Sequence, residues 1–399
     1  MNIMVKKLVV EKLMSDEEVA NLEGTWIEES HIKYPIIKSD TDVYRKDDQG
    51  NEILLLKFRK RVISDKLIDI GWNSYKDLAK ASRGRGASAG PINPESQYWK
   101  KRNLVKTKKW STGYLNPKGL ELYDLYRHFE LSALKIKCDE LEIKYSDDIS
   151  TEDCIKLLID KKGGVSKMKV NNQVASNPIG YYESANNFAK LPCRLTHFTR
   201  TNYEKYNQGL KFIQRIDKLF QRLIPDAHQK QFERANLKPH LKIPKTSFST
   251  VTINRNFRTA LHRDAGDFKE GFGNLTVIER GKYQGGYTVF PQYGVGINLR
   301  NNDFCAMDVH QWHSNTPIYE TEEDKVFNET LDQDYHDNPE VGTEGLYKKY
   351  TRLSFVCYLR EKIAKCPDKG EIDPQFLGKS GHSKIVSKNV SNSNDEVTT

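Results

Sequence analysis

The sequence has no apolar run long enough to cross a bilayer. Nowhere do its 399 residues approach the roughly 20 consecutive apolar residues that a transmembrane helix needs. The N-terminal segment MNIMVKKLVVEKLMSDEE also lacks the apolar core and the cleavage site of a signal peptide. We therefore predict a soluble, intracellular protein without a membrane partner, nuclear if the source is eukaryotic and in the host cell if it is viral.

Cysteine is scarce and scattered. The six cysteines stand at positions 138, 154, 193, 305, 357 and 366, and no two form a CxxC pair. This spacing argues against a zinc site and against a disulfide framework. We expect reduced thiols in the core and no disulfide-linked partner, and the pattern leaves the oligomeric state open.

Positive charge is in modest excess but is locally concentrated. The net charge is +9, with 63 Lys and Arg against 54 Asp and Glu, which is compatible with a polyanionic partner but does not require one. The segment 98–109, YWKKRNLVKTKK, contains no acid and includes Lys100, Lys101 and Arg102. Upstream, SRGRGASAG places Arg83 and Arg85 among glycines that permit close approach to a ligand. A flexible connector is the alternative for this Arg/Gly loop.

The first half of the chain divides by pattern into three parts. Residues 1–115 are predicted to form an α+β extension that includes the Arg/Gly loop and the basic segment. In 116–165, apolar residues recur at three- and four-residue spacing, which predicts helices, one of them capped by Ser150 or Thr151. This insertion resembles a SAP-like helix-extended-helix DNA-binding module, although an ordinary helical hairpin is favoured. Residues 166–190 are polar and are interpreted as a linker.

The second half favours an α+β fold with a double-stranded β-helix, or jelly roll, over residues 191–365. LKFIQRIDKLFQRLIP has helical spacing and should end before Pro225. Short strand-like runs then follow, bounded by turn residues: SFSTVTINRNF, GNLTVIERG, GYTVFPQY, VGINLR, DFCAMDV and RLSFVCYLR. An acidic stretch at 320–349 is expected to be a surface loop, and 366–399 a polar, disordered tail.

Three residues predict a metal site. His262 and Asp264, two apart on a segment expected to end a strand, should point to the same side of it. His313, at the start of a polar turn after a later strand, can complete the two-histidine, one-carboxylate set that holds non-heme Fe(II) and leaves positions open. His310 is the weaker candidate for the distal ligand, and is expected to be a hydrogen-bond donor to the site or a satisfied core histidine.

An arginine on a later strand completes the pattern. Arg352 precedes the apolar run LSFV, so that its head group should be buried and need a carboxylate, although a surface ion pair is the alternative. Such a guanidinium can hold a dicarboxylic co-substrate by a bidentate ion pair. Arg258, four residues before His262, could touch it as well. The set predicts an iron- and 2-oxoglutarate-dependent dioxygenase that uses O2.

Longer motifs around these residues resemble one family. TVTINRNFRTALHRDAGD, GKYQGGYTVFPQY, HQWHSNTPI and RLSFVCYL are similar to the TET/JBP dioxygenases of nucleic acids, above all to the branch in large viruses, phages, fungi and algae. The resemblance covers roughly 195–360, with patches over 53–90. The chain departs from the family in the insertion before Arg352 and in Ser314, where the family commonly has Gly.

The resemblance implies roles for these positions. His262, Asp264 and His313 would hold Fe(II), and Arg352 would anchor 2-oxoglutarate. Asp267 would lie near the substrate base, with turn capping as the alternative, and Asn315 would contact the substrate. The substrate would be the 5-methyl group of 5-methylcytosine or thymine in DNA, oxidised to hydroxymethyl or further. The target base would leave the stack, while phosphates would be held by Arg83, Arg85, Lys100, Lys101 and Arg102.

Two other classes of function stay open from the sequence. The same iron chemistry could act on an alkylated base or on a protein side chain. A non-catalytic DNA-binding protein built on a jelly roll is the alternative outside enzymes, and the intact set of ligands argues against it.

Overall fold

A computed structural model of the protein describes residues 5–82, 85–91, 109–110, 113–115, 117–166, 172, 174–183, 192–331 and 349–378. The chain forms two compact units, a larger one from 1–89 and 173–399 and a smaller one from 90–172. The strands are β1 Lys6–Val10, β2 Thr41–Lys46, β3 Glu52–Arg59, β4 Ala81–Ser82, β5 Lys109–Trp110, β6 Gly113–Leu115, β7 Val165–Ser166, β8 Val174–Tyr182, β9 Arg194–Leu195, β10 Thr250–Arg255, β11 Gly273–Arg280, β12 Gln284–Gly285, β13 Thr288–Phe290, β14 Val295–Ile297, β15 Phe304–Met307, β16 Ser314–Asn315, β17 Ile318–Tyr319 and β18 Thr351–Tyr358. The α-helices are α1 Asp16–Asn21, α2 Asp65–Tyr75, α3 Pro117–Tyr126, α4 Leu131–Glu140, α5 Thr151–Lys161, α6 His197–Thr201, α7 Tyr203–Leu223, α8 Pro225–Asn236, α9 Glu322–Asn328 and α10 Pro374–Leu377.

A large mixed sheet organises the larger unit. Its strands run in the order β1-β2-β3-β15-β11-β18-β10-β8-β4, and β9 also pairs with β8. The pair β1 and β2 is parallel, whereas the central pairs are antiparallel. The N-terminal strands join through the pairing of β3 with β15, where Arg59 lies opposite Phe304. The predicted boundary at residue 115 is therefore wrong, since residues up to 89 belong to the same compact unit as the later strands.

The two faces of the central strands differ in chemistry. On β10 and β18, Val251, Ile253, Leu353 and Phe355 belong to one apolar cluster with residues of α2 and α7. Helix α7 presents apolar residues at three- and four-residue spacing, including Phe212, Ile213, Ile216, Leu219 and Phe220. It ends at Leu223, before Pro225, as predicted. Burial of each such side chain stabilises the fold by about 1.5–3 kcal/mol.

A smaller sheet covers part of the opposite face. Strand β13 pairs with β14 and β16, and Phe290, Val295 and Ile297 pack in one cluster with Leu275 and Met307 of the large sheet. The strand-like runs predicted from the sequence correspond to β10, β11, β13, β14, β15 and β18. The larger unit is thus a large mixed sheet with helices, as the α+β class requires.

The predicted linker at 166–190 is wrong in its centre, because β8 occupies 174–182 and pairs with β10. Its sequence, VASNPIGYY, does not indicate a strand, because proline interrupts most strands. Pro178 is tolerated because it lies between the residues that pair with β4 and those that pair with β9, where none of the described strands pairs with the outer edge of β8. The core therefore begins before residue 191.

Two predicted loops also contain structure. The acidic stretch expected as a surface loop includes α9, which begins with a capping box between Thr321 and Asp324; residues 332–348 of that stretch lie outside the described residues. The tail was expected to be disordered from residue 366, but the chain is structured as far as residue 378. Ile372 and Leu377 of this segment are buried beside Leu241. A few apolar residues in a polar composition were enough to anchor it.

The prediction that all cysteines are reduced is wrong. Cys193 and Cys366 form a disulfide across 173 residues of sequence. Both lie in the buried cluster that anchors the C-terminal segment, and such a distant pairing leaves no spacing signal. The other four cysteines are free and buried.

The smaller unit has its own core. Strands β5, β6 and β7 form a sheet, and Leu134, Cys138, Leu158 and Ile159 of α4 and α5 are buried together. Ser150 caps α5 by accepting a hydrogen bond from the Asp153 N–H, as predicted. The SAP-like resemblance stays a prediction. Within the described residues, no helix combines the length and the apolarity needed to cross a membrane.

Candidate metal centre and substrate cavity

His262 and Asp264 lie beyond the end of a strand. Strand β10 stops at Arg255, and Asn256 follows with φ 44°, a left-handed conformation that asparagine tolerates better than most residues. His262 then forms an isolated antiparallel bridge with His313, donating its N–H to the His313 carbonyl at 3.1 Å and accepting in return at 3.0 Å. These ligands are therefore not positioned by the same-side alternation of a strand. They are positioned by a single backbone bridge between two loops.

The three side chains converge. The His262 Nε2 atom lies 3.8 Å from Asp264 Oδ1, and the His313 Nε2 atom lies 3.7 Å from Asp264 Oδ2. One ligand atom from each of the three residues falls within 4.8 Å of the others. Two imidazole nitrogens and a carboxylate oxygen, gathered on one side, are the donor set of non-heme Fe(II) sites.

Both histidines are held in the tautomer that a metal needs. His262 Nδ1 lies 2.8 Å from the Ala260 carbonyl oxygen, and His313 Nδ1 lies 2.9 Å from that of Gln311. Because a carbonyl only accepts, each Nδ1 carries the proton and each Nε2 is free to bind. Burial, reinforced by the neighbouring His262, lowers the pKa of His313 to about 4, so that its ring is neutral.

Arg352 presents a buried cation to the same space. It is 2% exposed on β18, and its main chain is fixed by hydrogen bonds in both directions with Asn256. Within the described part of the chain, its Nε atom is buried without an acceptor. A buried guanidinium without a carboxylate is costly. The arrangement therefore fits an acidic co-substrate that supplies the missing acceptor.

These groups line one cavity of about 310 Å³. Its wall includes the polar face of β10 and β18, with Thr252, Asn254, Ser354 and Tyr358, opposite to the face that packs on the helices. Asn254 is tied into this wall, accepting from Ser176 Oγ at 2.5 Å and donating to Ser354 Oγ at 3.2 Å. The wall is rigid and polar, which suits a ligand of mixed polarity.

Comparison with known proteins assigns this part of the chain. Residues 177–361 match the Tet_JBP family, described as the oxygenase domain of the 2OGFeDO superfamily. This part of the chain is therefore similar to the Tet_JBP oxygenase domain. The superfamily uses Fe(II), 2-oxoglutarate and O2, which agrees with the triad and with Arg352. The match begins inside β8, in the stretch that the sequence alone assigned to a linker.

Relatives are similar over this domain. The bifunctional helicase and thymine dioxygenase JBP2 of Leishmania braziliensis is 31% identical over 182 residues, covering 46% of this chain and 14% of the relative. JBP2 of Trypanosoma brucei brucei is 31% identical over 220 residues, covering 53% of this chain and 18% of the relative. The thymine dioxygenase JBP1 of Trypanosoma brucei brucei is 33% identical over 166 residues, covering 42% and 19%. The chain thus spans less than a fifth of these relatives.

A solved structure of NgTET1 in complex with 5mC DNA aligns over 96% of this chain and 90% of its own, with 8% identity and a TM-score of 0.42.

Asp267 lines the same cavity as the metal triad, and its implied place beside a substrate base stays a prediction. Its carboxyl group is 7% exposed, and within the described residues Oδ2 is buried without a hydrogen-bond partner. Burial, and then the nearby Asp264 carboxylate, raise the pKa of Asp267 well above its usual range. The carboxyl group is therefore free to accept a hydrogen bond from a ligand, and to donate one when protonated.

Two other predicted substrate residues also reach the cavity. Asn315 lines it and accepts from Thr259 Oγ1 at 2.7 Å. Arg85 lines it from the start of the turn at 86–89, with Nη2 3.4 Å from Thr252 Oγ1. Arg83, Lys100, Lys101 and Arg102 lie outside the described residues.

Arg258 does not touch the cavity, and its predicted role as a co-substrate contact is wrong. It pairs with Glu28 at 2.7 Å and donates to the Ile27 carbonyl at 2.9 Å. Strand parity failed here because Asn256 ends the strand. His310 faces the Phe268 carbonyl, with 3.3 Å from its Nε2 to that oxygen, so the satisfied histidine is the alternative that fits.

Sequence reasoning missed Arg360 and Glu183. Arg360 lines the cavity just after β18, and its guanidinium makes two hydrogen bonds to the Glu183 carboxylate. Its chain also bridges to Asp267. Glu183 lies in the supposed linker, so no motif connected the pair. The polar alternation along β10 and β18, in contrast, was a readable signal for Thr252, Asn254 and Ser354.

Proposed function

We propose that this chain is an Fe(II)- and 2-oxoglutarate-dependent dioxygenase that oxidises the 5-methyl group of a pyrimidine in DNA, 5-methylcytosine or thymine. The observation that carries the proposal is the convergence, on one cavity, of the His262, Asp264 and His313 triad with the buried Arg352 Nε, which has no acceptor among the described residues. The thymine dioxygenases among the relatives support the choice of substrate class.

Each residue has a defined task in this chemistry. The Nε2 atoms of His262 and His313 and the carboxylate of Asp264 would hold Fe(II), while Arg352 would bind a carboxylate of 2-oxoglutarate by paired charge-assisted hydrogen bonds. Together with O2, these cofactors supply the conversion of a C–H bond to C–OH, coupled to cleavage of 2-oxoglutarate into succinate and carbon dioxide. The protein contributes orientation, a low-water pocket and open coordination positions.

Asp267 would orient the base. Thymine offers a ring N–H and methylcytosine an exocyclic amine, and the free Oδ2 atom of Asp267 can accept from either. A methyl group inside a duplex cannot reach a recessed metal, so the base would be flipped out of the stack. The polar cavity of about 310 Å³ is at the lower end of ligand-site volumes, which suits one base beside a small co-substrate.

The same proposal covers the finer features of the fold and location. The large sheet and the β14-β13-β16 sheet would be the two walls of a jelly roll around the cavity. Arg83, Arg85 and the basic segment with Lys100, Lys101 and Arg102 would contact phosphates. The protein would act where its DNA is, in the nucleus or in an infected cell.

The test is direct product analysis. The protein is incubated with Fe(II), 2-oxoglutarate and DNA that contains 5-methylcytosine and thymine, and the digested nucleosides are quantified by mass spectrometry. We expect a hydroxymethyl pyrimidine or a more oxidised product from the wild-type protein and none from Asp264→Ala. Unchanged DNA, with 2-oxoglutarate still consumed on peptides, would refute the DNA substrate.

A further inference from the structure

A second cavity of the larger unit is lined by cations. It measures about 670 Å³ and lies between the end of α2, strand β8 and the segment from β9 through α6. Five basic side chains line it: Lys80, Arg194, His197, Arg200 and Lys205. No residue of the metal triad takes part, so this cavity is a separate site.

Its positive charge is poorly neutralised within the described residues. The acid of its lining is Asp77, which is already paired with Lys205 at 3.0 Å. Arg194 donates to the Pro192 carbonyl at 3.0 Å. This hydrogen bond uses one of the five N–H donors of the guanidinium and does not neutralise its charge. Burial, and then the charges of Arg200 and Lys80, lower the pKa of His197, so that its ring is neutral. Burial also lowers the pKa of Arg194; Arg200 lowers it further, while Tyr182 and Glu183 act in the opposite direction. The positive charges of Arg194 and Arg200 therefore act on each other at this cavity.

Arg200 adds a second observation. Its Nε atom is buried and finds no acceptor among the described residues. An unsatisfied buried donor on a guanidinium is costly, and the cost is relieved when an oxyanion enters. Two arginines with planar forks of donors match the geometry of a phosphate oxygen pair.

Tyr182 connects this cavity to the active site. Its side chain lines the cationic cavity, and the Arg360 guanidinium lies over its ring at 5.3 Å from the centroid. Arg360 in turn lines the metal-site cavity. The pKa of Tyr182 is raised by burial and by the Glu183 carboxylate, while the positive charges of Arg85, Arg360 and Arg194 oppose the shift. The contact between Tyr182 and Arg360 thus makes the two cavities neighbours.

We propose that Arg194 and Arg200 bind a backbone phosphate of the DNA strand whose base enters the metal-site cavity. Phosphate is the chemical class that the cation cluster selects, and the path through Tyr182 favours a strand over a free anion. The identity of the strand rests on the proposed function. Phosphate binding does not, because it requires neither iron nor a methyl group.

The test uses three double variants of the full chain. Arg194→Ala/Arg200→Ala removes the pair, and Arg194→Lys/Arg200→Lys keeps the charge while losing the planar fork. Lys218→Ala/Arg222→Ala removes the same charge from the exposed face of α7 and is the matched control. Circular dichroism and thermal melting establish that each variant is folded. Binding of fluorescein-labelled duplex, methylated and unmethylated, is measured by anisotropy over a salt series.

We expect the alanine pair to weaken duplex binding about tenfold or more at low salt, and to lower the slope of log K against log salt by roughly one to two, because each phosphate contact contributes about 0.9. The lysine pair should retain most of the salt slope at lower affinity. The control should keep affinity and slope. Equal losses in the control, or no loss in the alanine pair, would overturn the proposal.

Inorganic phosphate separates the two sources of the anion. If phosphate stabilises the wild type but not the alanine pair against heating, and duplex binding is the same in both, the cavity binds a free anion and the strand assignment is wrong. If the alanine pair loses duplex binding while the wild type oxidises no base, the phosphate site stands and the proposed oxidation fails. The two claims thus fail separately.

Discussion

The two faces of strands β10 and β18 differ sharply in chemistry. On one face, Ile253, Leu353 and Phe355 pack against helices. On the other, Asn254, Arg352 and Ser354 line the metal-site cavity. The register pairs Ile253 with Phe355 and Asn254 with Ser354, so the alternation is continuous across both strands.

The difference separates stability from chemistry along one backbone. The helix-facing residues stabilise the fold by leaving water. On the cavity face, Arg352 keeps a buried Nε donor that lacks an acceptor among the described residues, which costs free energy until a ligand supplies one. Substitutions on the first face should therefore change the free energy of unfolding. Substitutions on the second should change binding and turnover.

The largest effect on chemistry is expected at a metal ligand. His262→Ala removes one of three protein ligands, and no oxidised base should be detected by mass spectrometry. Lys269→Ala, an exposed neighbour in sequence, is the control and should retain activity. Full turnover in the His262 variant would show that the triad is not the site.

The largest effect on stability is expected on the helix face. Phe355 is fully buried and its ring centroid lies 4.9 Å from that of Phe212. Phe355→Ala should lower the free energy of unfolding by about 3–5 kcal/mol, measured by urea denaturation, and Phe355→Leu should lower it by less. If Phe355→Ala instead leaves stability intact and removes 2-oxoglutarate binding, the division between the faces is wrong.

Two arginines near the centre should differ sharply. Arg352→Met should weaken 2-oxoglutarate binding by about 2–5 kcal/mol, roughly 30-fold or more, because a buried charge pair loses one partner. Arg258→Met, which removes the pair with Glu28, should leave the Kd unchanged. Calorimetric titration of the metal-loaded protein measures both. Equal losses would restore Arg258 as a co-substrate contact.

The smallest effect is expected at Asp267. Asp267→Ala should raise the KM for DNA roughly 5- to 150-fold, because the base loses a hydrogen-bond acceptor. This corresponds to a loss of about 1–3 kcal/mol of binding free energy. Asp267→Asn keeps an acceptor oxygen and should lose less. If the aspartate merely caps a turn, the melting temperature will fall in both variants while the KM stays constant.

The sequence predicted the chemistry better than the architecture. His262, Asp264, His313 and Arg352 could be found because metal and co-substrate ligands must be particular residue types in a short, ordered pattern. Strand β8 could not be found in this way. Its Pro178 is acceptable only because it lies between the part of β8 that pairs with β4 and the part that pairs with β9, and these pairings depend on the tertiary fold. The disulfide between Cys193 and Cys366 depends equally on contacts distant in sequence.

Arg258 shows the limit of periodicity. Its position relative to His262 had the right parity for a strand, but Asn256 turns the chain into a left-handed conformation and ends the alternation. What replaces the alternation is the bridge between His262 and His313. Such a bridge joins two loops and has no signature in either of them.

The central claim, that the cavity-facing side of these strands performs the oxidation, is tested most directly by measuring succinate and oxidised pyrimidine in the same reaction. For the wild-type protein with Fe(II), 2-oxoglutarate, O2 and methylated DNA, we predict one succinate for each oxidation step found in the DNA, and neither product from His262→Ala. Succinate without any change in the DNA, or equal product from the variant, would contradict the account.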